Sequence, residues 1–288
     1  MSDAKRIFYG DFGRVALLSM NKSLVTHVHS ELNILIKASG EDASFNVSGQ
    51  DATLTDKTAI LVNVWEPHTY FYQPGASRTT ILSLYIDPLW LSKVKRSLLV
   101  SSRSDFFLNP CIEIKPRHRM LADHLLSEML SFGSVPKERI ELLLTDLLLA
   151  LIEDYSEWHH LSKLCTQASQ KSFDARVNLA TEYLSLHLAE GNAIENAAKF
   201  CGLSRAHFFM LFKEKTGMTP NIYLNNARME KAIYWLAHSQ NMNLVELSEE
   251  LGFSEQGHFT RFFQRHAGAA PSQYRRVLDS FALDQKST

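Results

Sequence analysis

Cysteine is scarce in this chain of 288 residues: Cys111, Cys165 and Cys201 are its only three, and they follow no metal-ligand spacing. An odd, scattered set excludes a disulfide framework and suits reduced structural thiols in a reducing compartment. No run of eighteen apolar residues occurs, so no membrane-spanning helix is expected, and the opening MSDAKRIFYGDF has no apolar signal core. A cytoplasmic protein without a membrane partner is the expectation. A basic excess is also missing. Lys and Arg number 30 against 31 Asp and Glu, for a formal net charge of −1. From Lys171 onward the count is 13 against 12, which leaves 17 against 19 before it. Nucleic-acid binders usually carry a cationic surface that displaces condensed counterions, and here placement rather than total charge would have to supply it.

What is present is an ordinary globular composition, 45% hydrophobic and 21% charged, on a chain longer than most single cores need. Two domains follow as the expectation. The most informative stretch is Leu247 to Arg276, LSEELGFSEQGHFTRFFQRHAGAAPSQYRR. A short apolar helix pattern at Leu247 and Leu251 stops at Gly252, where a turn calls for positive φ, and Ser254 stands at an N-cap position. Phe259, Phe262, Phe263 and His266 then recur at helical spacing, while Gln256, His258, Thr260, Arg261 and Arg265 occupy other faces. Helix, glycine turn and a second helix with one polar, cationic face is the grammar of a helix-turn-helix.

The same grammar appears about fifty residues earlier. Ala198, Gly202, Ser204, Phe208, Phe212, Gly217, Pro220 and Tyr223 match Ser248, Gly252, Ser254, Phe259, Phe263, Gly268, Pro271 and Tyr274. The offset is 50 before the turn and 51 after it, so the second copy carries one extra residue there. Between the copies Pro220 opens a long helix to His238, whose Ile222, Ala232, Ile233 and Leu236 are expected to join the two units. Two such units, the second ending Gly-Phe-Ser…Arg-Phe-Phe…Gly…Pro-Ser-Gln-Tyr-Arg, resemble the AraC/XylS family of bacterial transcription regulators, strongly from Asp174 to Leu278.

Residues 6 to 100 read as β. Val15 to Met20, Leu32 to Ile36, Ala59 to Val64 and Thr80 to Ile86 are short apolar runs separated by turns such as Ser39-Gly-Glu-Asp and Gln73-Pro-Gly-Ala. Many short strands at this spacing suggest a sandwich or small barrel. His27-Val-His29-Ser-Glu31, Trp65-Glu-Pro-His68 and a strand running into Asp87-Pro-Leu-Trp90 resemble, more loosely, the cupin-like effector domain of AraC relatives. On a strand His27, His29 and Glu31 share one face, and His68 could join from the far side of a barrel. Such a set suits zinc or iron. The carboxylate nevertheless stands closer to the second His than in metal-bearing cupins. The preferred expectation is therefore a pocket without metal or cofactor, in which His27, His29, Glu31, Trp65 and His68 meet a small effector, with a purely structural role as the plain alternative.

From Arg117 to His159 the pattern turns helical. Leu121, Leu125, Met129 and Phe132 form one stripe, and Pro136 starts a helix carrying Ile140, Leu143, Leu144, Leu147 and Leu151, with Leu142, Leu148 and Leu149 on its flanks. Those flanks meet either a second subunit, as the resemblance implies, or the rest of the same chain. The expected organisation is α+β: a cupin-like β-barrel with a helical dimerisation segment over residues 1–165, a linker over 166–173, and an all-α tandem helix-turn-helix domain over 174–288.

Exposed positions expected to face DNA are Arg205, Ala206, Phe209, Met210 and Lys213 in the first reading helix, and Glu255, Gln256, His258, Thr260, Arg261 and Arg265 in the second. Each polar one faces either a base edge or a phosphate. The function expected is an effector-responsive regulator rather than an enzyme, an activator by type, with double-stranded DNA, a small-molecule effector and RNA polymerase as partners and a homodimer as its form. The rivals are a metal-dependent cupin enzyme with a helical appendage and a constitutive regulator that binds no small molecule.

Overall fold

The computed structural model describes residues 2–131, 133–165, 174–239 and 241–281. Phe132 and the expected linker 166–173 lie outside the described residues. The chain divides into two compact units, Met1–Ala168 together with Ala267–Thr288, and Ser169–His266.

The first unit begins with nine strands, β1 (Asp3–Gly10), β2 (Gly13–Met20), β3 (Leu32–Gly40), β4 (Ala43–Val47), β5 (Gln50–Leu54), β6 (Thr58–Val62), β7 (His68–Phe71), β8 (Thr79–Ile86) and β9 (Cys111–Glu113). Between β8 and β9 lie helix α1 (Pro88–Val94) and a 3₁₀ turn, Arg96–Ser102. Helices α2 (Pro116–Leu130), α3 (Lys137–Tyr155) and α4 (Trp158–Cys165) follow. The second unit is helical: α5 (Ala175–Leu186), α6 (Ala193–Phe200), α7 (Arg205–Thr216), α8 (Pro220–His238), α9 (Leu244–Glu250) and α10 (Gln256–Ala267). The chain then adds α11 (Pro271–Arg276) and β10 (Leu278–Ser280) to the first unit.

Instead of one closed barrel, the strands form a seven-stranded sheet in the order β10-β1-β2-β8-β3-β6-β9 and a three-stranded sheet in the order β5-β4-β7. The unbroken apolar runs of β2, β3 and β8 are explained by burial on both faces. Successive side chains alternate, so Val15, Leu17, Ile34, Ile36, Leu82, Leu84 and Ile86 enter the main hydrophobic core. Leu18, Met20, Asn33, Leu35, Ile81, Ser83 and Tyr85 line a pocket instead. The core continues through Ala122, Leu125 and Met129 of α2 and Ile140, Leu143, Leu144, Leu147 and Leu151 of α3. Of the flanking leucines of α3, Leu148 is fully buried and Leu149 packs against the core, whereas Leu142 is 54% exposed. Where a strand was expected to run on through Asp87, the chain turns into α1: the Asp87 carboxylate accepts from the Leu89 N–H at 2.7 Å and Pro88 sits at the first helical position.

The end of the stretch from Ala267 onward, expected in the DNA-binding domain, meets the N-terminal strands. β10 pairs in parallel with β1, Ile7 opposite Leu278, and the Phe281 ring stacks on Phe8 with centroids 5.6 Å apart. A three-residue strand has too few residues to show a period, which is why it escapes sequence patterning.

In the second unit the two halves repeat closely. Gly202 and Gly252 have φ of 67° and 79°, as the turns require. Phe208 packs edge-on against Phe212 at 5.6 Å, and Phe259 against Phe263 at 5.8 Å, all fully buried. Ser204 caps α7, its hydroxyl accepting from the His207 N–H at 3.3 Å. The extra residue in the second copy is Glu255. It delays the start of α10 to Gln256, and the Ser254 hydroxyl bonds the His258 ring Nδ1 at 3.2 Å. Thr219 caps α8, whose 19 residues span about 28 Å at 1.5 Å each. Leu224, Met229, Ala232, Ile233 and Leu236 are buried along it, while Ile222 is half-buried.

Candidate nucleic-acid interface and ligand pocket

Burying one face of α7 and α10 forces the other face outward. With Phe208, Leu211 and Phe212 inside, Arg205, Ala206, Met210 and Lys213 are exposed and Phe209 is half-buried. With Phe259 and Phe263 inside, Glu255, Gln256, His258, Arg261 and Arg265 are exposed and Thr260 is half-buried. All eleven sequence-predicted positions thus lie wholly or partly at the surface. The two faces differ in chemistry. On α7, Arg205 is engaged by Glu195 at 3.1 Å and lies 5.4 Å over the Phe209 ring, and Met210 is 62% exposed. On α10, Gln256, His258, Thr260 and Arg261 present four hydrogen-bonding side chains within six residues. Gly257 faces open space: a methyl there would meet only the Arg261 Nη1, at 3.6 Å.

Sequence reasoning passed over a residue that holds the reading units together. Arg228 of α8 donates from Nε and Nη2 to the Leu188 carbonyl, at 3.1 and 2.9 Å, and lies 5.3 Å over the Phe253 ring. It ties the end of the first packing segment to the turn of the second unit. Burial lowers its pKa. An arginine among helix formers carries no pattern that marks it out.

In the first unit, a pocket is lined by apolar Leu18, Met20, Leu24, Leu35, Phe45 and Ile81 with polar His27, Asn33, His68, Tyr70, Ser83 and Tyr85. Asn33 is buried, and its Oδ1 has no hydrogen-bond partner among the described residues. Of the five residues expected in an effector pocket, His27 and His68 line this space; His29, Glu31 and Trp65 do not. The segment 27–31 is not a strand either. His27 makes a single antiparallel bridge to His68, with reciprocal backbone bonds of 3.1 and 3.0 Å, so His68 is its immediate neighbour and does not approach from across a barrel.

His27, His29 and His68 form one cluster, with ring centroids 4.3 to 4.9 Å apart. Burial holds the His68 imidazole neutral, its pKa lowered to about 4. The Trp65 N–H donates to the His29 carbonyl at 2.6 Å from a backbone with φ of 59°, in the left-handed region that a bulky residue seldom adopts.

Glu31 belongs to a different group, built on Arg14, which was not anticipated. The Arg14 guanidinium lies 3.6 Å over the Tyr85 ring and donates to the Tyr274 hydroxyl at 2.5 Å. Burial works against the charge, but Tyr274, Tyr85 and Glu31 outweigh it and raise the Arg14 pKa. A cation inside the run GRVALLSM was the available signal, since a buried charge requires partners.

The two glycine-turned helix pairs joined by one long helix define a double helix-turn-helix domain. Residues 197–277 match the family described as a helix-turn-helix domain. The chain is 30% identical over 154 residues to the raffinose operon transcriptional regulatory protein RafR of Pediococcus pentosaceus, covering 53% of this chain and 54% of that protein. It is 31% identical over 121 residues to the HTH-type transcriptional activator RhaS of Escherichia coli, covering 42% and 43%. It thus spans about half the length of these relatives. Apo ToxT from Vibrio cholerae shares the fold, with a TM-score of 0.57 at 11% identity over 92% of this chain and 97% of that one. Unsaturated-fatty-acid-bound ToxT has a TM-score of 0.53 at 11% identity over 96% and 95%. Over its C-terminal part the chain is thus similar to helix-turn-helix transcription regulators of the AraC type. No described helix is long and apolar enough to cross a membrane.

Proposed function

We propose that this protein is an effector-responsive transcription regulator of the AraC/XylS type, an activator rather than an enzyme, that works in the cytoplasm on double-stranded DNA. The observation that carries this reading is the pair of helices α7 and α10, each anchored by a matched phenylalanine pair and each leaving exposed a face that carries cationic side chains. A helix of this kind enters the major groove with its first turns on base edges. The spacer α8, about 28 Å long, is of the order of the roughly 34 Å between successive major grooves on one face of DNA, so one chain can read two adjacent grooves.

The pocket, apolar with a few polar groups, has the lining of a small-molecule site, and Asn33 Oδ1 offers an acceptor for a ligand's donor. The unsaturated fatty acid bound by ToxT makes an amphipathic effector the natural class to try first. Tyr85 of the pocket wall, Arg14 and Tyr274 form a continuous line of contacts within the first unit. Tyr274 comes seven residues after the end of α10, which gives ligand occupancy a route towards the reader. RNA polymerase is the partner an activator requires. Exposed Leu142 supports a homodimer through α3. Sedimentation should show Leu142→Glu as a folded monomer, and an unchanged dimer would remove α3 from the interface.

The direct test is selection of bound duplexes from a random-sequence library with the purified full-length chain. Enrichment of a two-part site spanning about two helical turns is expected. Binding without sequence preference, or enrichment of a single short box, would overturn the tandem-reader reading.

A further inference from the structure

The histidine cluster is built as a metal site, independently of the DNA-binding reading. The ligand-capable atoms of His27, His29 and His68 all lie within 4.8 Å of one another, two of the residues buried and one partly buried. Tetrahedral zinc with bonds of about 2.0–2.1 Å places its ligand nitrogens about 3.3 Å apart, so the widest separation has to close by roughly 1.5 Å, within the reach of side-chain rotation. The backbone beneath needs no change. His27 and His68 are locked by their reciprocal hydrogen bonds, and the His29 carbonyl is held by Trp65 in its strained, left-handed conformation. Strain of this sort persists where surrounding structure enforces it, and it clusters at functional sites.

The ring chemistry agrees. His27 Nδ1 lies 2.7 Å from the Val25 carbonyl and His68 Nδ1 lies 3.0 Å from the Glu66 carbonyl, so each Nδ1 carries the proton and donates it. That tautomer makes Nε2 the unprotonated nitrogen of each ring, the usual arrangement for a metal-bound imidazole whose other nitrogen is tied to a carbonyl. The Asn33 amide nitrogen is 3.5 Å from His68 Nε2, at the outer limit of a hydrogen bond, and offers little competition.

We propose that His27, His29 and His68 form a three-imidazole site for a divalent first-row transition ion of the zinc class. Glu31 is not a ligand. Because His27 and His68 also line the pocket, the coordination position not filled by protein faces that space. A three-histidine zinc site with one open position binds water or an anionic oxygen of a small molecule, so the ion would contribute to ligand selection in the pocket.

The test uses full-length protein stripped with a chelator and then titrated with Zn²⁺, and separately with Co²⁺, whose visible absorption intensifies in tetrahedral nitrogen sites. One high-affinity ion per chain and an intense Co²⁺ band are expected. His29→Gln and His68→Gln should each weaken binding at least tenfold and abolish the band, whereas His160→Gln, on the exposed His159-His160 pair, should leave both intact. Circular dichroism checks that the variants are folded, and if His68→Gln is not, His29→Gln decides. Absence of high-affinity uptake by the wild-type chain, or uptake equally strong in folded His29→Gln, would overturn the site.

Discussion

The two helix-turn-helix units of this chain share an interior and differ in almost everything they show to solvent. Each has a positive-φ glycine turn and an edge-to-face phenylalanine pair at nearly the same spacing, 5.6 and 5.8 Å. Outside, α7 offers Phe209 and Met210 where α10 offers Thr260 and Arg261. Packing density constrains the interior, where a change of even one methylene is felt, whereas a solvent-facing side chain is free to follow the partner. The units are therefore one scaffold used for two kinds of contact. Hydrogen-bonded readout distinguishes bases by about 1–3 kcal/mol per bidentate pair, and apolar contact with thymine methyl groups discriminates less.

The largest test of this comparison lies in the turns, which look alike and are not equally crowded. A Cβ on Gly252 would sit 2.8 Å from both the Leu188 and Ala189 carbonyl oxygens, whereas one on Gly202 would meet nothing within 4 Å. Gly252→Ala adds a backbone clash to the cost of a left-handed alanine and should lose roughly 2–4 kcal/mol of stability. Gly202→Ala should lose only about 1–2 kcal/mol. Urea unfolding of both variants measures the difference, and equal losses would show that the second turn is not pinned against the first packing segment.

A smaller effect is expected at Gly257, which has no counterpart constraint in α7. Its added methyl makes an ordinary contact, so Gly257→Ala should raise stability by about 1 kcal/mol through helix propensity alone. If the phosphate backbone approaches closely at this point, the same variant should bind DNA more weakly while melting higher. Unchanged affinity would assign the glycine no role in binding.

How much of this was legible in the sequence depends on the range over which each signal acts. Helix starts, turns and the phenylalanine repeat are set by residues within a dozen positions of one another, and Gly202, Ser204, Phe208 and their partners could be read directly. The exposed faces followed, because a helix that buries two phenylalanines has little choice about which side chains remain outside. Topology was less accessible. A barrel and a pair of sheets use the same alternation along each strand, and only the pairing of β4 with β5 and β7 separates them. The pocket illustrates the same limit. His68 was recognised, but 39 residues separate it from His29, and alternation placed Glu31 beside the histidines when the chain at 27–31 is bridged at one residue only. The spacing of that carboxylate was the ground for expecting no metal, and the proposed three-imidazole site does without it. Arg14 and Tyr274, 260 positions apart, lay beyond any local rule.

The measurement that bears most directly on the tandem-reader reading is a saturation series of base substitutions across the selected site, at fixed salt, with wild type, Arg261→Ala and Lys213→Ala. Wild type should show one half in which single substitutions cost about 1–3 kcal/mol and another that tolerates all but the loss of A·T pairs. Arg261→Ala should relax choice at one position of the sharp half, a guanine by the geometry of arginine pairing. Lys213→Ala should weaken every sequence alike and reduce the salt slope by about one unit, as loss of a phosphate contact does. Equal discrimination in both halves, or an Arg261 variant that loses affinity uniformly, would contradict the division of labour between α7 and α10.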